Sequence, residues 1–83
     1  MSNQNVTLYI SDNSSYCNKV INLMKEHDVY FQVKNVTQNR KYMKELQNDG
    51  IYGTPALFIK GEDRFILGYQ KARILKALHI ASS

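Results

Sequence analysis

The sequence predicts an α/β fold built on one mixed four-stranded sheet, in the order β-α-β-α-β-β-α with helices on both faces. Three observations lead there. Short runs of β-branched and aromatic residues alternate with segments whose apolar residues recur at three- and four-residue intervals. Two late apolar runs, Ala56–Ile59 and Phe65–Leu67, flank a turn containing Gly61, the pattern of an antiparallel hairpin. The chain has 83 residues, enough for a single domain over 1–83 and too few for two. A domain of this size buries only about 60–65% of the surface its unfolded chain exposes, so a single layer contact is expected for its core, such as helices on a sheet.

Each element follows from its pattern. Val6–Ile10 alternates and is rich in β-branched and aromatic residues, which predicts a strand. Ser11–Ser15 is a polar run of helix-cap types, and a helix is expected over Ser15–Glu26 with Cys17, Val20, Ile21 and Met24 on one face. Lys19, Asn22, Lys25 and Glu26 fall on the other. Val29–Val33 is expected as the second strand. Gln38–Asn48 is the second helix, with Tyr42, Met43 and Leu46 inward and Gly50 just past its end. Ala56–Ile59 and Phe65–Leu67 are strands around the turn Lys60–Asp63. Gln70–His79 is the last helix, with Ile74, Leu75 and Leu78 inward, and the final Ala81-Ser82-Ser83 frays. The first two strands, joined through a helix, pair in parallel by a right-handed crossover.

Composition excludes several function classes. A hydrophobic fraction of 43% is ordinary for a globular protein. Apolar runs such as Ala56–Ile59 fall far short of the roughly 20 residues of a membrane span. Met1–Asn5 has neither the basic nor the apolar region of a signal peptide, so a cytoplasmic location and no membrane partner are expected. The single cysteine, Cys17, excludes an internal disulfide and a multi-cysteine metal site, and His27 and His79 lack ligand-like neighbours. The net charge of +4 comes from basic residues scattered along the chain. No basic stripe interleaves with aromatics, and nucleic acid is not an expected partner. The chain is expected to be a monomer.

Two features carry chemistry. The first is Ser14-Ser15-Tyr16-Cys17, between the first strand and the first helix. The unpaired N–H groups and the dipole of a helix N-terminus stabilise an anion there. A cysteine at position 14 would have a lowered pKa and act as a nucleophile. A serine hydroxyl is too weak an acid for the dipole alone to ionise. Ser14 also suits an N-cap that accepts from Tyr16 or Cys17, and Cys17 suits a small buried hydrophobe. The second feature is Gly53-Thr54-Pro55, whose proline is the only one in the chain and stands just before a strand, where a missing N–H is tolerated.

In this order and spacing, the features resemble the glutaredoxin family of the thioredoxin superfamily, over about residues 6–78. Ser14-Ser15-Tyr16-Cys17 is similar to the Cys-Pro-Tyr-Cys motif, Gly53-Thr54-Pro55 to the cis-proline motif, and Gly68-Tyr69-Gln70 to part of the glycine turn before the last helix. Val36-Thr37-Gln38-Asn39 resembles the family's entry to its second helix. The resemblance implies the thioredoxin fold and thiol–disulfide exchange. It places Ser14 at the nucleophile position and Cys17 at the resolving position, with Tyr16 beside the sulfur site. Thr54 and Pro55 become a ledge for the substrate, and Gly68 and Tyr69 approach the γ-glutamyl end of glutathione. The implied partners are disulfide-containing proteins or glutathione as co-substrate, with no permanently bound cofactor.

Three departures qualify the match. Ser14 replaces the nucleophile, and Ser15 replaces the motif proline, a position that affects redox poise. Leu67-Gly68-Tyr69-Gln70 lacks the usual second glycine and acidic residue, which opens thioredoxin reductase as an alternative electron donor. Two explanations of Ser14 stand: replacement of a native cysteine, leaving an inactive form, or a redox-inactive homologue that binds glutathione or an extended peptide. A serine codon in the native coding sequence would rule out the first.

Overall fold

The computed structural model describes residues 6–61 and 65–78. Along the chain these form β1 (Val6–Ile10), α1 (Ser15–Glu26), β2 (Gln32–Asn35), α2 (Arg40–Asn48), β3 (Ala56–Ile59), β4 (Ile66–Leu67) and α3 (Lys71–Ala77). The strands make one sheet in the order β2-β1-β3-β4. β1 pairs in parallel with β2, as the intervening helix allows, and antiparallel with β3, which pairs antiparallel with β4.

The two-residue period of the strands sorts their side chains onto two faces. The register aligns Leu8 with Leu57 and Leu57 with Ile66, a row across three strands. That row, with Val6 and Ile59, meets Val20, Leu23 and Met24 of α1 and Ile74 and Leu75 of α3. On the opposite face Tyr9 and Ala56 meet Val36, Ile51 and Leu46, with Tyr42, Met43 and Phe65 partly buried around them. α1 and α3 therefore cover one face and α2 the other. The Phe65 ring closes the second cluster, 6.1 Å from Tyr9 and 5.4 Å from Phe58, centroid to centroid.

The second strand lies later than the expected Val29–Val33. The Val29 N–H is bonded to the Met24 carbonyl at 3.0 Å, which closes the end of α1 and keeps Val29 out of the sheet. Val29 and Phe31 reach the core from a connecting segment, and pairing begins with Gln32 opposite Thr7. α2 starts at Arg40 rather than Gln38. The N–H groups of Thr37 and Gln38 both donate to Asn35 Oδ1, at 2.9 and 3.0 Å, and Asn39 caps the helix by accepting from Lys41 N at 3.0 Å. On α1, Leu23 is buried while Ile21 is only partly so. Gln70 stands just before α3 and not within it. Glu62 and Asp63 of the expected turn, His79, Ala81-Ser82-Ser83 and Met1–Asn5 lie outside the described residues.

A charged cluster ties α2 to the sheet. Glu45 Oε1 accepts from the Tyr9 hydroxyl at 2.9 Å and from Lys34 Nζ at 3.0 Å. Lys34 Nζ lies 5.5 Å from the Tyr9 ring centroid and 5.3 Å from that of Tyr42. The hydrogen bond from Lys34, then that from Tyr9, holds the Glu45 carboxyl below its ordinary value. The same bond to Glu45 raises Lys34, and burial raises Tyr9. A carboxyl lowered by folding stabilises the protein above its unfolded pKa of about 4.3, and that contribution is lost as pH falls through the folded value. The raised Lys34 and Tyr9 set the opposite limit, their contribution fading as pH rises above about 10. The Glu45 side chain is 45% exposed, so screening limits the effect to under about 1 kcal/mol. The expected result is that thermal midpoints of the parent and a Glu45→Gln variant differ by a few degrees at pH 7, about 4–8 °C per kcal/mol, and converge on acidification. An equal gap at pH 3 would contradict this role.

Candidate functional site

The site is built at the start of α1. Asn13 takes a left-handed φ of 60°, which asparagine tolerates better than most residues, and turns the chain out of β1. Ser14 follows in an extended conformation, φ −111° and ψ 117°, as the N-cap of α1. Its Oγ accepts from the Cys17 backbone N–H at 3.3 Å, and its carbonyl accepts from Asn18 N at 3.3 Å. The first turn of α1 contains no acidic side chain, so its free N–H groups keep their positive potential.

The side chains of this turn divide by exposure. Tyr16 is 58% exposed, whereas Cys17 is 1% exposed on the inner side of the helix, with Val20 and Met24 on its later turns. The Cys17 thiol is thus expected to react with an aromatic disulfide reagent only slowly in the native protein and fully in denaturant. Rapid stoichiometric labelling without denaturant would contradict this burial.

Two further loops meet the helix start. The Thr54–Pro55 bond is cis. Thr54 and Ser11 share a hydrogen bond between their hydroxyls at 2.7 Å, which ties the proline loop to the turn leading into α1. The Pro55 carbonyl accepts from Gly68 N at 2.9 Å, which brings in the turn before α3. Gly68 adopts φ 73°, a conformation that favours glycine. Among the described residues, no backbone hydrogen bond occupies Thr54, which stands just ahead of β3.

Lys19 links the two tyrosines of the site. Its Nζ lies 5.3 Å from the centroid of Tyr16 and 5.9 Å from that of Tyr69. The base of the turn is fixed from the end of β2 and the segment after it: Asn35 Nδ2 donates to Asp12 Oδ1 at 2.9 Å, and Asp12 N donates to Thr37 Oγ1 at 3.0 Å.

Six of the seven residues singled out in the sequence thus fall into joined pairs: Ser14 with Cys17, Pro55 with Gly68, and Tyr16 with Tyr69 through Lys19. Thr54 is joined to Ser11. Sequence reasoning missed Ser11 and Lys19. The spacing of Lys19 three residues after Tyr16 was a signal, since such pairs are neighbours on a helix. Nothing local marked its approach to Tyr69, or that of Ser11 to Thr54. Chemically, the arrangement offers donors and a dipole at position 14, a buried thiol one turn on, and open backbone at Thr54. Among the described residues, no group of three or more His, Cys, Asp or Glu could hold a metal ion, and no helix is long and apolar enough to cross a membrane.

The sheet order, the three helices and the cis-proline loop beside the start of α1 define a protein of the thioredoxin fold. Solved structures share it. The thioredoxin-like protein BC3987 superposes with a TM-score of 0.80 at 20% identity, over 87% of this chain and 97% of that one. A mutant of the same protein gives 0.83 at 20% identity, over 95% and 100%. A glutaredoxin from Archaeoglobus fulgidus gives 0.79 at 18% identity, over 90% and 86%. No curated protein matches the sequence. The glutaredoxin family model matches residues 6–64, and the chain belongs to the glutaredoxin family.

Proposed function

We propose that this domain is built for thiol–disulfide exchange of the glutaredoxin type, on disulfides or glutathione mixed disulfides, and that Ser14 holds it in an inactive form. The observation that carries the reading is the convergence of three loops on the start of α1, through the Ser11–Thr54 and Gly68–Pro55 hydrogen bonds. With cysteine at position 14, the helix terminus favours the thiolate. The thiolate attacks one sulfur of the substrate disulfide, a mixed disulfide forms, and the other sulfur leaves as a thiolate. Cys17 then attacks the position-14 sulfur, releases the reduced substrate and leaves an internal disulfide. Two thiols of glutathione, or the dithiol of thioredoxin reductase, return the pair to the reduced state. The cytoplasm supplies such reductants, and the domain works as a monomer.

An open backbone at Thr54 suits an extended substrate, which would pair with it as an added strand. Tyr16 flanks the sulfur, and Gly68 and Tyr69 border the same ledge. A second reading, a redox-inactive module binding glutathione or a peptide on this ledge, is favoured by one observation. The Ser14 hydroxyl is engaged as a helix cap and Cys17 is buried, so the chain as it stands presents no accessible thiol there. Assaying the Ser14→Cys variant on a glutathione mixed disulfide separates them. Catalytic turnover supports exchange. Binding of the disulfide without turnover favours the module.

A further inference from the structure

The turn into α1 carries Asp12, whose Oδ1 accepts from Asn35 Nδ2 at 2.9 Å, whereas residues 15–25, 50–61 and 65–78 contain no aspartate or glutamate. They carry Lys19, Lys25, Lys60, Lys71, Arg73 and Lys76. Lys19 is the cation set within the site itself, its ammonium held against the faces of Tyr16 and Tyr69. Among the described residues, the one ion pair is Lys34–Glu45, on the other side of the sheet, so no carboxylate is paired with Lys19. Five residues of helix put Lys19 about 7 Å along the axis from Ser14, within reach of a group flanking a sulfur bound there.

We infer that Lys19 is a specificity-determining residue that selects partners carrying an acidic residue beside the reacting cysteine. The inference rests on the site being a ledge for a sulfur-containing ligand, but not on the exchange chemistry. The two tyrosine rings draw the ammonium by cation–π attraction, which lowers the cost of ordering the side chain to meet a carboxylate. Asp12 is already bonded to Asn35, and the lysines and arginine of the neighbouring segments add a favourable field for an anionic segment. The occupant is an extended protein segment with glutamate or aspartate next to the cysteine, lying across Tyr16 and Tyr69.

The test uses the chain as it stands, so that it does not depend on turnover. Three peptides with an S-methylated cysteine, flanked by Glu, Gln or Lys, are titrated by NMR at low salt. The Glu peptide is expected to bind about 3- to 5-fold more tightly than the Gln peptide, the upper range for an exposed pair, and the Lys peptide more weakly than both. The preference should largely vanish at 1 M salt, where the screening length is about 3 Å. Lys19→Glu should invert the order, while Lys25→Glu, which changes net charge equally, should not. Equal affinities for the three peptides, or the same change with both charge reversals, would overturn the assignment. So would binding of S-methylglutathione with none of the peptides bound, since the carboxylate would then not come from a protein segment. Failure of Ser14→Cys to turn over a mixed disulfide would count against the exchange chemistry alone.

Discussion

Replacing Ser14 with cysteine is expected to yield a thiol that titrates below pH about 7.5, at least a unit under the value near 8.5 of free cysteine. The physical cause lies in the backbone. Ser14 is the N-cap of a 12-residue helix whose first turn holds no acidic side chain, and its Oγ already accepts from Cys17 N. A thiolate in that place receives the same N–H and the same dipole, both favouring the charged form. At pH 7 such a shift raises the thiolate fraction from about 3% to about a quarter or more. The loss of the serine cap offsets part of the benefit, at a cost of about 0.5–2 kcal/mol in stability for removal of such a cap. Ultraviolet absorbance of the thiolate during a pH titration measures the effect. Cys17 is buried and serves as the background, read from the parent chain. A thiol at position 14 titrating at or above about 8.5 would mean that the helix start does not stabilise an anion.

Leu46→Ala is expected to be the most damaging single truncation on the α2 side of the sheet. Leu46 is fully buried and is the one buried residue of α2, where it meets Tyr9, Val36, Ile51 and Ala56. Its carbonyl also accepts from Ile51 N at 2.9 Å, which closes the end of the helix. Truncating a buried leucine costs about 2–5 kcal/mol, from lost transfer energy and the cavity left behind. Against a total stability of about 5–15 kcal/mol for a domain, that is a large share. The thermal midpoint should fall by at least about 8 °C, at about 4–8 °C per kcal/mol. A fall of less than about 3 °C, under 1 kcal/mol, would show that α2 does not depend on Leu46 for its attachment.

How much was legible in the sequence depends on whether the deciding partner was nearby. β1, α1 and β3 follow their patterns because each is half or wholly covered, so burial and period coincide. β2 is an edge strand of sequence Gln32-Val33-Lys34-Asn35, with its first two residues exposed, and carries little apolar signal. The apolar residues just before it, Val29 and Phe31, belong to the core but not to the sheet. The start of α2 was obscured because Asn35 takes up the N–H groups of Thr37 and Gln38 from outside the helix. Ser14 as a cap was legible because its partner, Cys17, is three residues away. The Ser11–Thr54 bond and the placing of Lys19 against Tyr69 join residues distant in sequence, and only the assembled sheet brings them together.

The most direct test of the exchange site is a trapping experiment. A Ser14→Cys, Cys17→Ser chain holds a nucleophile with no thiol to resolve it, so the first mixed disulfide should accumulate. Incubated with glutathione disulfide at neutral pH and analysed by intact-mass and peptide mass spectrometry, it should carry one glutathione on the sulfur at position 14. The parent chain, with Ser14 and a buried Cys17, should remain unmodified under the same conditions. A double variant that forms no adduct, or a parent chain modified at Cys17 just as fast, would contradict the assignment of position 14 as the nucleophile.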